Sequence, residues 1–280
     1  MLDAYADRWA LVTGASSGIG AEFARQLAAR GMHLVLVARR QELMKELAAE
    51  LDTRHGTKCE IVVSDLSDPA ASKLIFDDIA NRELNIDVLV NNAGFGFVGV
   101  VDDVDISRMM QMIQLNISSA TDLIYRLLPG MLERKRGAII NVSSLAAFQP
   151  VAYMSVYAAT KAYMLHLSEA LWAEVKERGV TVMALCPGTT ETDFFDVAGI
   201  SGWLKKHRAQ TPEQVVKTAM KALDRGKQYV VPGLKNYLIS LGVRLARRKM
   251  VVLQSMKYFR PTRKTTDDSA DPNPKSQPAA

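Results

Sequence analysis

Short apolar runs alternate along this chain with longer segments in which apolar residues recur every three or four positions. The runs have the length of buried strands, whereas the longer segments have the spacing of amphipathic helices. The predicted strands are 9–13, 33–38, 59–63, 87–90, 137–142, 180–186 and 228–231. Helical patterns follow the turn at 14–20 and cover about 41–55, 68–84, 106–131, 157–176 and 211–224. This alternation predicts a doubly wound α/β fold, because parallel strands need helical crossovers.

The first strand leads directly into a turn that is rich in glycine and serine. It has the sequence Gly-Ala-Ser-Ser-Gly-Ile-Gly over 14–20, and a helical pattern follows it. Glycines here let the backbone approach a pyrophosphate, which the dipole of the next helix attracts. A plain tight turn is the alternative, but the flanking strand and helix favour a dinucleotide site. Asp65, Asn91, Ser144 and Pro187 also follow predicted strands, at the sheet edge where such folds bind ligands.

Tyr157 and Lys161 form the strongest candidate for chemistry. Four residues separate them on a predicted helix, so their side chains lie one turn apart on the same face. A nearby ammonium favours the phenolate and so prepares a phenol for general acid–base work. By itself this spacing more often marks a packed and solvated helix face, so the interpretation depends on the motifs around it.

Composition and charge restrict the function further. The chain has 280 residues, is 48% hydrophobic and 23% charged, and carries a formal charge of +5. Its basic excess lies in 235–264, which holds nine Lys and Arg and no acidic residue, so the charge does not support nucleic-acid binding by the whole protein. Cys59, Cys186 and the scattered histidines form no metal or redox motif, and we expect buried free thiols. No signal peptide or membrane-spanning run is recognisable, so a cytoplasmic, reducing setting is expected.

The C-terminal part differs from the rest of the chain. Apolar residues recur at three- and four-residue intervals over 234–256 with basic residues among them, which predicts a basic amphipathic helical extension over 234–264. Such a helix can pack on the domain, cover a subunit interface or contact an anionic membrane weakly; we expect mainly the first two. Residues 265–280 have no large apolar side chain and are predicted to be a disordered tail. The rest of the chain, 1–233, is predicted to form one dinucleotide-binding domain.

Taken together, these motifs resemble the short-chain dehydrogenase/reductase family over about residues 8–231. The matching motifs occur in the family's order and spacing: Thr13 to Gly20, Asp65-Leu66, Asn91-Asn92-Ala93-Gly94, Asn116, Ser143-Ser144, Tyr157-x3-Lys161 and Pro187-Gly188. The resemblance implies a doubly wound (Rossmann) seven-stranded parallel sheet with helices on both faces. It also implies a nicotinamide dinucleotide and hydride transfer at a carbonyl or carbinol carbon.

The resemblance assigns a catalytic tetrad: Asn116, Ser144, Tyr157 and Lys161. Tyr157 would protonate the carbonyl oxygen, and Lys161 would lower the pKa of that tyrosine and hold the ribose hydroxyls. Ser144 would polarise the carbonyl, and it is chosen over Ser143 because it precedes the tyrosine by the family's usual spacing. Asn116 would keep a water for proton relay.

The end of the second strand favours NADP over NAD. Ala38 stands where NAD-preferring relatives commonly carry an acid, and Arg39 and Arg40 follow it. Guanidinium groups suit a 2′-phosphate, to which Ser16 can add a hydroxyl; two solvated arginines are the alternative. The predicted cofactor-binding residues are Gly14, Ser16, Ser17, Gly18, Ile19, Gly20, Arg39, Arg40, Asp65, Leu66, Asn91, Ala93, Gly94, Tyr157, Lys161, Pro187, Gly188, Thr190 and Thr192.

Residues 189–210 are predicted to form an apolar substrate lid, in which basic residues at 205–208 either meet an anionic group such as a CoA phosphate or are simply solvated. We therefore expect an NADP(H)-dependent oxidoreductase, a homodimer or homotetramer, that acts on a hydrophobic carbonyl compound. Candidate substrates are a 3-oxoacyl chain, a steroid-like ketone or a long-chain aldehyde. The alternative is a dinucleotide-binding regulator or scaffold without turnover. The expected location is cytoplasmic, with peripheral membrane contact through 234–264 as a weaker expectation.

Overall fold

The computed structural model describes residues 6–200 and 202–261 of the chain. Its centre is a parallel sheet of seven strands in the order 3-2-1-4-5-6-7, which confirms the predicted doubly wound fold. The sequence order reverses between β1 and β4, and this crossover creates the crevice in which such sheets bind ligands. The strands are β1 (Trp9–Thr13), β2 (His33–Ala38), β3 (Cys59–Val63), β4 (Ile86–Asn91), β5 (Gly137–Val142), β6 (Val180–Leu185) and β7 (Tyr229–Val230).

Helices cover both faces of the sheet. The α-helices are α1 (Gly18–Ala28), α2 (Gln41–His55), α3 (Ala71–Asn81), α4 (Ile106–Ile113), α5 (Ala120–Glu133), α6 (Ser155–Val175), α7 (Phe194–Val197), α8 (Trp203–Lys206), α9 (Pro212–Asp224), α10 (Leu234–Leu245) and α11 (Arg248–Phe259). Helices α1, α2 and α9 pack their apolar faces against one side of the sheet. Helices α3, α5 and α6 pack against the other side. Both layers are needed because strands β1, β4, β5 and β6 are buried on both faces.

Two helix predictions need correction. The helix predicted from residue 68 begins at Ala71, because the Asp68 carboxylate accepts a hydrogen bond from the Ala70 N–H (2.9 Å) and forms a turn before the helix. The helix predicted over 106–131 is not continuous: Gln114–Ser119 forms a π-helical turn between α4 and α5. Such turns recur at functional sites, and this one contains Asn116. The helix at 211–224, in contrast, has its predicted cap: Thr211 and Gln214 form a capping box.

The C-terminal segment forms two helices where the sequence suggested one. The chain is extended at Ala246 and Arg247, which separates α10 from α11. The predicted tail at 265–280 and the end of the extension lie outside the described residues. Among the described residues, no helix is both long and apolar enough to cross a membrane.

Candidate active site

A large cleft of about 1690 Å³ opens at the carboxyl edge of the sheet. Most residues predicted from the sequence line this cleft, including the glycine turn, both arginines, Ser144, Tyr157 and Lys161. Three predicted residues do not line it: Gly20, Asn91 and Asn116. The volume exceeds the roughly 300–1,000 Å³ of an ordinary small-molecule pocket, so the cleft has room for a dinucleotide and a second molecule.

The glycine turn forms one end of the cleft. Gly14 and Gly18 have positive φ angles of 65° and 57°, a conformation that side chains with a Cβ rarely adopt. Helix α1 begins at Gly18, and Ser17 does not cap it through its side chain. The N–H groups of the first turn therefore face an anion without competition from a capping oxygen. A Cβ on Gly20 would lie 2.2 Å from the Gly14 carbonyl oxygen, so Gly20 allows close packing beneath the turn and does not face the cleft.

The end of β4 requires a further correction, at Asn91. Its Nδ2 donates to Asn141 Oδ1 (2.9 Å) and to the Ala120 carbonyl (3.3 Å) inside the protein. The neighbouring Asn92 lines the cleft, and its Nδ2 donates to the carbonyls of Thr13 (2.9 Å) and Gly14 (3.2 Å). Asn91 thus joins β4 to β5, while Asn92 fixes the glycine turn. Asn92 belongs to the sequence motif after β4, but the motif alone does not indicate this role.

The two arginines after β2 have different partners. Arg39 Nη1 lies 3.5 Å from Asp65 Oδ2, and both side chains are largely exposed. Arg40 donates to the hydroxyls of Ser16 and Ser17 in the glycine turn. Burial raises the pKa of the Asp65 carboxyl, but hydrogen bonds from Ser67 and the nearby Arg39 outweigh this, so the pKa falls below its usual value. Asp65 is therefore an acceptor with a persistent negative charge.

Ser144, Tyr157 and Lys161 come together at the middle of the cleft, where β5 ends and α6 passes. Lys161 Nζ donates to the Val142 carbonyl (2.8 Å) and lies 5.8 Å from the centre of the Tyr157 ring. The Ser143 hydroxyl donates to the Lys161 carbonyl (2.7 Å) and is buried. Ser144, in contrast, accepts a hydrogen bond from the Ala146 N–H (3.1 Å), lines the cleft and lies close enough to lower the pKa of Tyr157. The two serines thus have separate tasks: Ser143 fixes α6 to β5, and Ser144 faces the phenol.

Burial controls the acidity of this cluster. Burial raises the pKa of Tyr157 to about 12, against a smaller lowering effect of the Ser144 hydrogen bond. Burial also lowers the pKa of Lys161 to about 8. The net shift of the Tyr157 pKa is therefore opposite to the lowering by Lys161 that we predicted, because burial of the phenol dominates. At neutral pH the phenol holds its proton and the amine is mainly cationic.

Asn116 lies behind the cleft wall. Its Oδ1 accepts from the Phe95 N–H (3.2 Å), and its Nδ2 donates to the Phe95 carbonyl (3.0 Å) and to Thr160 Oγ1 (3.1 Å). The side chain predicted to keep a water is instead engaged in joining the loop after β4 to helix α6. A Cβ on Gly94 would come within 2.9 Å of Asn116 Oδ1, so glycine is required where this loop crosses the amide. The structure assigns the Asn116 side chain a positioning role.

The other half of the cleft is apolar and aromatic. The Phe194 ring lies 5.3 Å from that of Tyr157. Trp203 stacks on His207 (3.8 Å between ring centroids) and on Phe259 (5.2 Å). Met154 also lines the cleft, whereas the adjacent Tyr153 does not. The predicted lid at 189–210 therefore does contribute apolar surface beside the phenol.

Sequence reasoning missed two parts of this wall. Arg108 of α4 lines the cleft with its guanidinium 5.5 Å from the centre of the Phe95 ring and 5.4 Å from that of Phe97. Helix α11 contributes Tyr258 and Phe259, far along the chain from the other motifs. No local sequence pattern marks either, because both reach the cleft only through tertiary packing. Residues on both sides of the predicted domain boundary at 233 therefore line the same cleft.

Comparisons with known proteins agree with this geometry. Residues 8–200 match the family model described as short chain dehydrogenase. A very-long-chain 3-oxoacyl-CoA reductase of Anas platyrhynchos is 35% identical over 76% of this chain and 67% of its own length. An inactive hydroxysteroid dehydrogenase-like protein 1 of Homo sapiens is 32% identical over 64% of this chain and 55% of its own length.

A solved structure shows the same likeness. A short-chain dehydrogenase from Sphingobium yanoikuyae in complex with NADPH superposes with a TM-score of 0.77 and 31% identity, over 93% of this chain and 99% of that one. The family match, the seven-stranded sheet and the cleft at its carboxyl edge lead to one conclusion. The chain belongs to the short-chain dehydrogenase family.

Proposed function

We propose that this protein is an NADP(H)-dependent oxidoreductase that interconverts a carbonyl group and a secondary alcohol in a hydrophobic substrate. The observation that carries the proposal is the cluster of Ser144, Tyr157 and Lys161, placed between a glycine turn and an aromatic wall in one cleft. The glycine turn suits a dinucleotide, and the aromatic wall suits an apolar molecule. The Tyr157 phenol between them carries a proton.

The residues present fit a nicotinamide dinucleotide. The positive φ angles of Gly14 and Gly18 and the N-terminus of α1 form a cradle for a pyrophosphate. A Cβ at Gly18 would lie 2.9 Å from Thr192 Cγ2, so a larger residue would close this cradle. When bound, the nicotinamide supplies the hydride. Arg39 and Arg40, with no acid at the end of β2, support NADP as the preferred form.

The chain's own residues supply the acid and its positioning. The pKa of Tyr157 of about 12 means that its hydroxyl carries a proton at neutral pH and can give it to a carbonyl oxygen. The Ser144 hydroxyl, which lines the cleft beside the phenol, orients that oxygen. Lys161 keeps a mainly cationic amine beside the ring and stabilises the phenolate that the transfer leaves. In the reverse direction the phenolate takes the proton back.

The cleft wall supports a hydrophobic substrate, and a long-chain 3-oxoacyl thioester is the substrate class that we favour. Phe194, Phe195 and Trp203 form apolar surface next to the acid. Arg208 and Lys235 line the cleft and are exposed, so they can meet the phosphates of a CoA group. The likeness to a very-long-chain 3-oxoacyl-CoA reductase agrees with this choice.

The test is NADPH oxidation by the full chain with a panel of carbonyl substrates: long-chain 3-oxoacyl thioesters, steroid ketones and long-chain aldehydes. We expect turnover with at least one class, fastest with the thioesters, and a higher kcat/KM with NADPH than with NADH. Tight NADPH binding without oxidation of any substrate would contradict the proposal. It would support a regulatory or scaffold role. This alternative is included in the test because the chain is similar to an inactive hydroxysteroid dehydrogenase-like protein.

A further inference from the structure

Helix α10 turns a stripe of leucines away from the domain. On the side that faces the domain, Ser240 is buried, Asn236 Nδ2 donates to Gln210 Oε1 (3.2 Å), and Ile239 and Val243 line the cleft. Four leucines recur at helical spacing on the opposite side, and we call them the leucine stripe: Leu234, Leu238, Leu241 and Leu245. The helix thus has polar and apolar contacts toward the domain and a second apolar face on its other side.

Three of the four leucines in the stripe are exposed, and Leu241 is half-buried. The relative exposure is 74% for Leu234, 57% for Leu238 and 91% for Leu245. Contiguous apolar surface of this kind is typical of a protein or membrane contact. We expected this segment to pack on the domain or a subunit rather than on a membrane, but domain packing does not account for these leucines in the described structure.

The charges around the leucine stripe indicate which kind of surface binds to it. Seven basic residues and no acidic residue occur in the described part of the segment, 235–261. Arg247, Arg248 and Lys249 are consecutive and exposed where α10 passes into α11, and the nearby Arg244 lies over the Phe148 and Tyr229 rings. An apolar helix face bordered by cations is the pattern of an interfacial helix on an anionic bilayer.

Two other possible occupants of the leucine stripe fit less well. A second copy would meet the stripe through a two-fold axis, so this basic cluster would face its own like charges. The chain's own segment 265–280 contains no large apolar residue that could cover four leucines.

The stripe also adjoins the cleft. Leu234 and Met250 are exposed and line the cleft at the same time, one from α10 and one from α11. A bilayer held against the stripe therefore lies next to the cleft wall. We infer that α10 and the basic turn after it form a docking surface for an anionic lipid bilayer, which places the cleft beside the membrane. Docking itself does not depend on the proposed reaction.

The experiment is co-sedimentation of the full chain with vesicles of phosphatidylcholine alone and of equal parts phosphatidylcholine and phosphatidylglycerol. We expect binding to the mixed vesicles only. Each basic residue near an anionic surface adds roughly a fivefold gain in affinity. The triple variant Arg247→Gln, Arg248→Gln, Lys249→Gln should therefore bind about 100-fold more weakly. The matched control changes three exposed lysines elsewhere, Lys217, Lys221 and Lys227, to Gln.

A second pair of variants tests the stripe. Leu238→Glu with Leu245→Glu should abolish vesicle binding, because neither carboxylate can enter a bilayer. Leu74→Glu with Val101→Glu makes the same change at exposed positions on other elements and should bind like the unchanged chain. Neither Leu238 nor Leu245 lines the cleft, so thermal melting and turnover in detergent-free buffer should stay unchanged.

Three results would overturn the inference. The first is a full chain that binds neither kind of vesicle or binds both equally. The second is that the stripe and charge variants bind as tightly as their controls. The third is a stripe variant that loses an oligomeric state, measured by light scattering, while vesicle binding persists; a second copy would then be the occupant.

Discussion

Replacing Arg39 by Asp tests the choice of cofactor most sharply. Arg39 lies at the end of β2, where its Nη1 is 3.5 Å from Asp65 Oδ2. The side chains of the pair are 74% and 47% exposed, and such pairs contribute only about 0–1 kcal/mol to stability. The guanidinium can therefore leave Asp65 for a phosphate at little cost. Arg40, by contrast, is held by two hydroxyls of the glycine turn.

The expected magnitude follows from the contact that is lost. A hydrogen bond to a charged group contributes about 1.5–3 kcal/mol, so Arg39→Asp should weaken NADPH binding by about 10- to 100-fold or more. The new carboxylate also adds repulsion, both toward the phosphate and toward Asp65. NADH lacks the 2′-phosphate, so its affinity should change much less. The ratio of the two dissociation constants is therefore the informative quantity.

The assay is fluorescence titration of both dinucleotides, with kcat/KM for each once a substrate is known. Arg54→Asp is the matched control, because it makes the same charge change at an exposed position on α2. An unchanged preference ratio in Arg39→Asp would refute the role of Arg39 and shift attention to Arg40 and Ser16.

Three further predictions concern stability. Asn116→Leu removes three hydrogen bonds of about 1 kcal/mol each and should lower the free energy of unfolding in urea by about 2–4 kcal/mol; a loss below about 0.5 kcal/mol would contradict the positioning role. Because burial lowers the pKa of Lys161 from 10.5 to about 8, the unfolded chain binds more protons between these values. Stability should rise with pH in that window by up to about 1.4 kcal/mol per pH unit, and Lys161→Met should remove this slope. Tyr157 has the opposite sign: its pKa is raised from 10.0 to about 12, so stability should fall above pH 10, and Tyr157→Phe should remove that decrease.

The sheet could be predicted from the sequence because its strands are buried on both faces and appear as continuous apolar runs. Strands β1, β2, β3 and β5 have the predicted bounds. The π-helical turn at Gln114–Ser119 could not be predicted, because apolar residues recur at three- and four-residue intervals on both sides of it, as they would in one continuous α-helix. The outward position of the leucine stripe on α10 could not be predicted either, because periodicity shows that a helix is amphipathic but not which side contacts the domain.

The cleft was predictable wherever a residue follows a strand, because the carboxyl ends of parallel strands meet at one edge. This rule located the glycine turn, Asp65 and Ser144. It failed for Asn91, because the side chain of the last residue in a strand can turn toward the protein interior instead of the cleft. The next residue, Asn92, lines the cleft. The pKa of Tyr157 was unpredictable for a different reason: it depends on burial, which a four-residue spacing does not reveal.

The most direct test of the central claim is the turnover of Tyr157→Phe, compared with its affinity for NADPH. We expect the rate of carbonyl reduction to fall by about 10²–10⁴-fold, while NADPH binds as before, because the change removes a proton donor and leaves the cleft intact. Tyr163→Phe is the control: this tyrosine lies on the same helix, and its hydroxyl meets Thr121 outside the cleft. Loss of turnover in Tyr157→Phe alone, with NADPH affinity retained, is the predicted result. Near-normal turnover in Tyr157→Phe would contradict the account.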